Sequence, residues 1–403
     1  GLALAHQLQQ HGLAFLVLDA AAEIGNTWRS RWDSLTLFTS ARYSSLPGMA
    51  FPAEPDSYPT KDAVADYLRG YVDEFRLPVQ LDTAVTALTR TEDLFTVHTG
   101  RGLFLARQVV VATGPFQVPV IPAISCAFGP DIVQLHSSGY RNPAQLAPGP
   151  VLVVGGANSG VQIAAELCAT RPVHLAVGSS LTQVPKRLLG KDLFWWLTRL
   201  GMFSAPADSR LGRKFRARGD LLIGSSLRQL RRAGVQLHGR LARADEATAH
   251  FADGGQASPA TVIWATGFRA DYSWIQIPGI TSDGRVAHDR GASPVPGLHF
   301  LGLPWQHTRG SALLGFVGAD AAYTANRIAG TRASYVAVDL PASAVTVHSA
   351  NEVPAAQAGV AIVLWGVIGN VGSIRLAWLT ATAVVVTTTV LLAPVRTRPT
   401  ESV

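Results

Sequence analysis

Apolar and polar positions follow two rhythms along this chain. In the first ten residues Leu2, Leu4, Ala5 and Leu8 recur at helical spacing; Gly12 then breaks the pattern, and Phe15–Leu18 is a continuous apolar run closed by Asp19. That order predicts a helix, a turn and a buried strand finishing on an acid. Near residue 150 the same grammar appears complete, with an apolar run Pro150–Val154, a glycine turn Gly155–Gly160, a helical run Val161–Ala169 and a second apolar run Val173–Val177. Strand, glycine turn, helix and strand make a βαβ unit, so a parallel sheet with right-handed crossovers is expected.

The two units align. Gly160 to Gly178 is 18 positions, and Gly1 to Asp19 is also 18. If Gly160 is the third glycine of its turn, Gly1 is the third glycine of the other, and the first strand with its two glycines is expected just ahead of residue 1. Two more apolar strands, Gln108–Pro115 and Ala260–Phe268, carry Ala-Thr-Gly at Ala112–Gly114 and Ala265–Gly267. Each is expected to close one dinucleotide domain and send the chain to the other. Gly297–Gly302 is one further short strand, followed by a helical run from Ser311 to Ile328. The expected fold is therefore α/β, with two Rossmann-like dinucleotide-binding domains and the second nested within the first. The first covers 1–145 and 285–335, the second 146–284, followed by a linker at 336–352 and an apolar helical tail at 353–395.

Composition narrows the chemistry. With 403 residues, 48% hydrophobic and 15% charged, the chain is too apolar for disorder and long enough for two packed domains. Lys and Arg exceed Asp and Glu by 34 − 27 = 7, which favours anionic partners such as phosphorylated cofactors or a membrane face and does not argue for nucleic acid. The two cysteines, Cys126 and Cys168, are 42 residues apart. That excludes a CxxC dithiol, a cysteine-rich zinc site and a disulfide framework, and suits a reduced, intracellular compartment. Val353–Ile374 and Leu376–Ala393 are uncharged, interrupted by Arg375 and followed by Arg396 and Arg398. The second run approaches the roughly 20 residues of a bilayer span, so a membrane anchor on the cytoplasmic face, as one helix or a hairpin, is expected beside the alternative of one or two buried helices or a disordered apolar tail.

The glycine turns are candidate phosphate cradles, because a glycine-rich strand-to-helix turn lets backbone approach a pyrophosphate at the positive end of the helix. In the second turn Gly155, Asn158, Ser159 and Gly160 keep the pattern, and Ala157 stands where the middle glycine belongs. Asp19 lies where a carboxylate accepts hydrogen bonds from a ribose, as FAD requires. At the matching place the second unit has Gly178, then Ser179 and Ser180, with Lys186 and Arg187 nearby. Loss of the acid and gain of hydroxyls and cations suits a 2′-phosphate, hence NADPH over NADH. In the helical run Asp192–Gly201, Phe194, Trp195 and Trp196 are consecutive and cannot share one core. Part of that surface is expected to meet another domain, a substrate channel, a subunit or a membrane. The cations that follow, Arg210 to Arg218, read as a solvated charged loop.

These residues carry a resemblance. Asp19, Gly25–Trp28, Arg31–Phe38, Ala41–Gly48, the two Ala-Thr-Gly strands, Gly155–Gly160 and Pro304–Gly310 together resemble the flavin-containing monooxygenase superfamily. The likeness is greatest to its CzcO-type and YUCCA-like bacterial branch. It covers most of the first 330 positions and leaves out roughly the last 60. The resemblance implies FAD in the first domain and NADPH in the second. It also implies a C4a-peroxyflavin that oxygenates a small organic substrate with O2, by nitrogen or sulfur oxygenation or a YUCCA-like oxidation of an oxo acid. On that layout FAD meets Gly1, Asp19, Thr27, Trp28, Tyr43 and Val85, together with Ala112, Thr113, Gly114 and Gly302. The second nucleotide meets Ala265, Thr266 and Gly267 beside its glycine turn. His307 and Arg309 precede a helix that starts near the flavin pyrimidine, and they are candidate catalytic residues. His136 is a third, at the end of a partial FxGxxxHxxxY motif in which Pro130 and Ile132 replace the Phe and Gly and Tyr140 closes the pattern. Other readings stay open: an NADPH oxidase releasing hydrogen peroxide, a Baeyer–Villiger monooxygenase, or a membrane-tethered redox-sensing flavoprotein beside a cation transporter.

Overall fold

The computed structural model describes residues 1–332, apart from positions 180, 181, 220, 225 and 283, together with a strand at 360–365. Helix α1 (Leu2–Gln10) turns Leu2, Leu4 and Leu8 into the core and leads through Gly12, at φ 61°, into strand β1 (Ala14–Leu18). A one-turn helix α2 (Asn26–Arg29) and the longer α3 (Lys61–Phe75) follow. Thr60 caps α3 by accepting from the Ala63 N–H, and Val64, Leu68 and Tyr71 form its inward stripe. Strand β2 (Val79–Gln80) precedes an antiparallel meander of β3 (Val85–Thr91), β4 (Leu94–Thr99) and β5 (Gly102–Ala106), and then β6 (Gln108–Ala112), all five of whose residues are buried. The chain leaves this domain through β7 (Val118–Pro119) and builds the second from β8 (Val133–His136), β9 (Val151–Val154), helix α4 (Asn158–Leu167) and β10 (Val173–Ala176). Helix α5 (Leu193–Arg199), β11 (Gln236–His238) and β12 (Thr261–Trp264) complete it. Strand β13 (Phe268–Arg269) brings the chain back to β14 (Leu298–Phe300) and helix α6 (Gly318–Arg332); β15 (Val360–Trp365) is the last described element.

Both main sheets are parallel and share one arrangement. The first runs β2-β1-β15-β6-β14, the second β11-β10-β9-β12-β8. Each has a central strand with the acid-end and following strands on one side and the Ala-Thr-Gly strand on the other, the order of a dinucleotide-binding sheet. The two crossings between domains pair with each other, β13 antiparallel to β7 with Phe268 opposite Pro119 and Arg269 opposite Val118. That two-stranded ribbon fixes where the carboxyl ends of the two sheets meet.

In the first sheet β15 lies between β1 and β6, with Ala361 beside Phe15 and Val363 beside Val110. These residues fall inside the 353–395 run expected to be helical, and for them that expectation does not hold. The run Val-Ala-Ile-Val-Leu-Trp is rich in β-branched residues, and β1 and β6 offer ladder hydrogen bonds on both edges. The rest of the expected tail and the 336–352 linker lie outside the described residues. Among the described residues no helix is long and apolar enough to cross a membrane.

Candidate functional site

The second glycine turn is a cradle that only glycine can build. Gly155 leaves β9 at φ 121°, and a Cβ there would collide with the Ala265 carbonyl. A Cβ at Gly160 would collide with the Gly155 carbonyl. The missing side chains thus let β9, β12 and α4 close on one another. Helix α4 carries no side-chain cap, so its first N–H groups remain open to an anion, with Ala157 exposed at the N-cap. Asn158 is turned aside: its amide donates to the Leu221 carbonyl at 2.9 Å and accepts from the Ile223 N–H at 2.9 Å. Ser159 is half-buried, Gly178 and Ser179 are exposed beyond β10, and Ser180 lies outside the described residues.

The cations near this cradle divide in a way the sequence did not show. Lys186 donates to the Leu37 carbonyl at 3.3 Å and lies 4.2 Å over the Tyr58 ring; burial lowers its pKa. Arg187 donates to the Asp56 carbonyl at 3.0 Å and approaches the Asp56 carboxylate at 3.9 Å. Both side chains therefore engage the first domain. Arg240, 62 residues after Gly178, is the cation found at Gly178, its Cγ 3.7 Å from the place a Cβ would occupy. No local pattern could have signalled it, because β11 and β10 become neighbours only in the folded sheet.

The first cradle joins the start of α1 to the end of β1. Gly1 caps α1, with its carbonyl accepting from the Ala5 N–H at 3.0 Å. Asp19 is fully buried, and its Oδ1 accepts from the Ala21 N–H at 2.9 Å. Val85 is fully buried in β3, Ala112 and Thr113 are buried at the end of β6, and Gly114 turns away at φ 67°. Trp28 is half-buried and packs on the cores of both domains. Nearby, Thr27 Oγ1 and Ser40 Oγ are buried with no hydrogen-bond partner. Such a hydroxyl costs on the order of 1–3 kcal/mol unless a ligand answers it. Two buried unanswered hydroxyls and a fully buried acid at the end of β1 fit a hydroxyl-rich nucleotide such as FAD.

At the crossover ribbon, Thr113 accepts from Gln117, whose amide oxygen accepts from the Asp271 N–H, and Thr266 donates to the Val120 carbonyl. Ala265 is buried, and Gly267, at φ 81°, is exposed. His136 ends β8 with Nε2 3.0 Å from the Gly267 carbonyl, and its Nδ1 accepts from the Ser138 N–H at 3.1 Å. Burial first, and the Arg31 charge after it, press its pKa down to about 4, so the ring is neutral and donates through Nε2. It is a strut between β8 and the crossover. Tyr140 is fully buried and donates to Glu166 at 2.8 Å, so the motif-closing tyrosine belongs to the second domain's core.

The remaining residues meet at the other face of the junction. His307 accepts through its carbonyl from the Ala207 N–H at 2.6 Å, and the N–H groups of His307 and Thr308 both donate to the buried Ser311 Oγ, at 3.1 and 3.0 Å. Arg309 carries its guanidinium 5.8 Å from the Trp305 ring centre, and Gly302 turns the chain at φ 82°. Tyr43 stacks on Phe316, and Phe194 of α5 reaches the same cluster beside Phe38 and Phe203. Phe194 is thus an inter-domain residue, while Trp195 and Trp196 stay half-buried on the outer side of α5.

Comparison with known proteins agrees with this geometry. Residues 1–186 match the pyridine nucleotide-disulphide oxidoreductase family. An uncharacterized CzcO-like oxidoreductase of Geobacillus kaustophilus is 46% identical over 330 residues, 81% of this chain and 95% of the relative. The indole-3-pyruvate monooxygenase YUCCA4 of Oryza sativa is 31% identical over 221 residues, 49% of this chain and 50% of its own length. Among solved structures, the flavin-containing monooxygenase from Stenotrophomonas maltophilia superposes with a TM-score of 0.65 at 28% identity, covering 82% of this chain and 95% of that one. The chain belongs to the CzcO-like oxidoreductases of the flavin-containing monooxygenase superfamily.

Proposed function

We propose that the protein is an NADPH-dependent monooxygenase that transfers one atom of O2 to a small organic substrate, at nitrogen or sulfur or on an oxo acid. The observation that carries this reading is the electron path. Two cradles meet at the β7–β13 ribbon, and the chain offers no dithiol there to receive electrons, since Cys126 is exposed and Cys168 is half-buried behind α4. Bound FAD supplies the two-electron reduction of O2, with NADPH as donor; one oxygen atom goes to the substrate and the other leaves as water.

The chain's own residues bind and shelter. Asp19 and the start of α1 hold the flavin nucleotide, with Thr27, Trp28, Tyr43, Val85 and the Ala112–Gly114 turn around it. Gly155–Gly160 and Ala265–Gly267 hold NADPH, and Arg240 reads its 2′-phosphate beside Gly178 and Ser179. The aromatic group of Phe38, Tyr43, Phe194, Phe203 and Phe316 excludes water from the junction. His307 and Arg309 approach the reacting face from the loop before Ser311, and neutral His136 keeps the crossover in register.

The test is anaerobic reduction of the FAD-loaded protein by NADPH, followed by 18O2 in the presence of amines, sulfides, ketones and oxo acids. The reading expects NADPH oxidation coupled to 18O in an organic product. Stoichiometric peroxide with every compound would assign an oxidase instead, and failure of NADPH to reduce the flavin would end the proposal.

A further inference from the structure

Two arginines leave helix α2 in opposite circumstances. Arg29 faces three carboxylates, at 2.6 Å from Asp66, 3.4 Å from Glu23 and 3.8 Å from Asp62. Arg31, two residues on, has no carboxylate and no side-chain hydrogen bond among the described residues. Its backbone is fixed by an N–H bond to the Trp28 carbonyl at 3.0 Å, and its guanidinium carbon lies 5.4 Å over the Phe268 ring. Arg141 adds positive charge close by, with its Nη1 donating to the carbonyls of Ser138 at 2.7 Å and Tyr140 at 3.1 Å. A half-buried cation beside another cation and without a carboxylate partner is costly unless a ligand completes it. Its planar fork of donors matches a carboxylate or phosphate.

The sheet order says which anion. The diphosphate cradle is at the end of β9. Gly178 and Arg240 lie on the β10 and β11 side, so the adenosine half of the nucleotide runs that way. Arg31 is on the opposite side, against Phe268 just after β12 and beside His136 at the end of β8. Strand β8 is two strands from β9, roughly 10 Å at normal sheet spacing. That is the nicotinamide end, where the nucleotide itself carries no further phosphate.

We propose that Arg31 binds the carboxylate of the substrate, so the substrate is an organic acid whose charged end lies between Phe268 and the β8–β12 edge of the crevice. This rests on the monooxygenase reading of that crevice and adds the substrate class. The Phe268 ring, 5.4 Å from the guanidinium carbon, is an aromatic neighbour that takes none of its N–H donors and leaves them for the acid.

The test is an equilibrium one and needs no turnover. FAD-loaded protein saturated with NADP+ is titrated with phenylacetate and with phenylacetamide, its neutral counterpart of similar shape, and the flavin difference spectrum is followed. The wild-type protein should bind the acid at least about tenfold more tightly than the amide, the order of one charge-assisted bidentate contact. Arg31→Met should bring that ratio to about one while changing the Kd for NADP+ by less than about twofold, and Arg31→Lys should keep part of the preference. A wild-type protein that does not prefer the acid overturns the proposal without any variant. So does a ratio that survives Arg31→Met. A selective rise in the NADP+ Kd would give Arg31 to a phosphate and overturn it as well. Because binding alone is read, failure to oxygenate would sink the monooxygenase reading without touching this result.

Discussion

Arg240 lies against Gly178, with its Cγ 3.7 Å and its Cβ 4.0 Å from the position a Gly178 side chain would take. A carboxylate at 178 would repel a 2′-phosphate, and glycine both removes it and makes room for the arginine stem. Arg240→Ala should therefore raise KM for NADPH about tenfold or more and leave KM for NADH nearly unchanged. Gly178→Asp should shift preference toward NADH. Lys186→Ala is the informative control: its side chain is engaged by Leu37 and Tyr58, so it should move both nucleotides alike. Steady-state kinetics with both nucleotides decide the matter, and an Arg240→Ala enzyme that keeps its NADPH preference would remove Arg240 from the site.

That contact also marks how far the sequence could be read. The turn at Gly155–Gly160 and the helix and strand that follow Gly1 are legible because their elements are consecutive along the chain. Asp19 is legible for the same reason. Arg240 is not, since its nearness to Gly178 comes from the order of β11 and β10 in the sheet. Lys186 and Arg187 are close to Gly178 along the chain yet lean across to Leu37, Tyr58 and Asp56. The pattern of Val360–Trp365 marked an apolar run without saying what it pairs with, and in the structure it pairs as a strand with β1 and β6. The consecutive aromatics of α5 announced that part of that surface meets something outside its own core, with another domain one of four possibilities. That Phe194 reaches the other domain followed only from its partners.

Phe194 is fully buried between domains, with ring centres 5.2 Å from Phe203, 6.0 Å from Phe316 and 6.1 Å from Phe38. Phe194→Ala should cost about 3–5 kcal/mol and loosen the junction more than either domain. Thermal unfolding that is one transition in the wild-type protein should broaden or split. The rate at which NADPH reduces the flavin should fall, because the two cofactors are held apart by the same packing. Leu197 contributes to the same cluster and Leu200 is exposed, so Leu200→Ala should leave both readouts unchanged. Similar losses from both substitutions would mean that α5 matters through its helix and not through this ring.

Of the histidines that burial lowers, His136 and His299 are pressed furthest and contribute most to the acid response. Burial holds each at about 4, below the ordinary 6.5, with charge from Arg31 and Arg327 respectively adding to the effect. The unfolded chain takes up these protons first as pH falls. Their contribution is thus complete above about pH 6.5 and is lost progressively toward pH 4, on the order of 3 kcal/mol for each group. Urea midpoints measured at pH 7 and pH 4.5 should show that drop. In His136→Gln the drop should shrink by roughly its share, although the variant loses some stability at pH 7 with the bond to Gly267. A pH dependence identical to wild type would return His136 to an ordinary, solvated histidine.

Thr27 separates the cost of an empty cradle from the gain of a filled one. Its Oγ1 is buried without a partner, so the hydroxyl is a liability until a ligand accepts or donates there. Thr27→Val keeps the branched shape and removes the polar atom. The apo protein should then become more stable, by up to about 1–2 kcal/mol, while the dissociation constant for FAD rises by about five- to tenfold. The two changes have opposite signs, and no purely structural role for Thr27 produces both. Flavin titration with apo-protein melting temperatures measured on the same samples reads them together. Stabilisation without weaker FAD binding would show that the hydroxyl faces something other than the flavin; weaker binding without stabilisation would show that it is not stranded in the apo state. Asp19→Ala is the companion case with the same sign on both counts. Its carboxylate already accepts from the Ala21 N–H at 2.9 Å, so its loss should weaken FAD binding and destabilise the β1 end together.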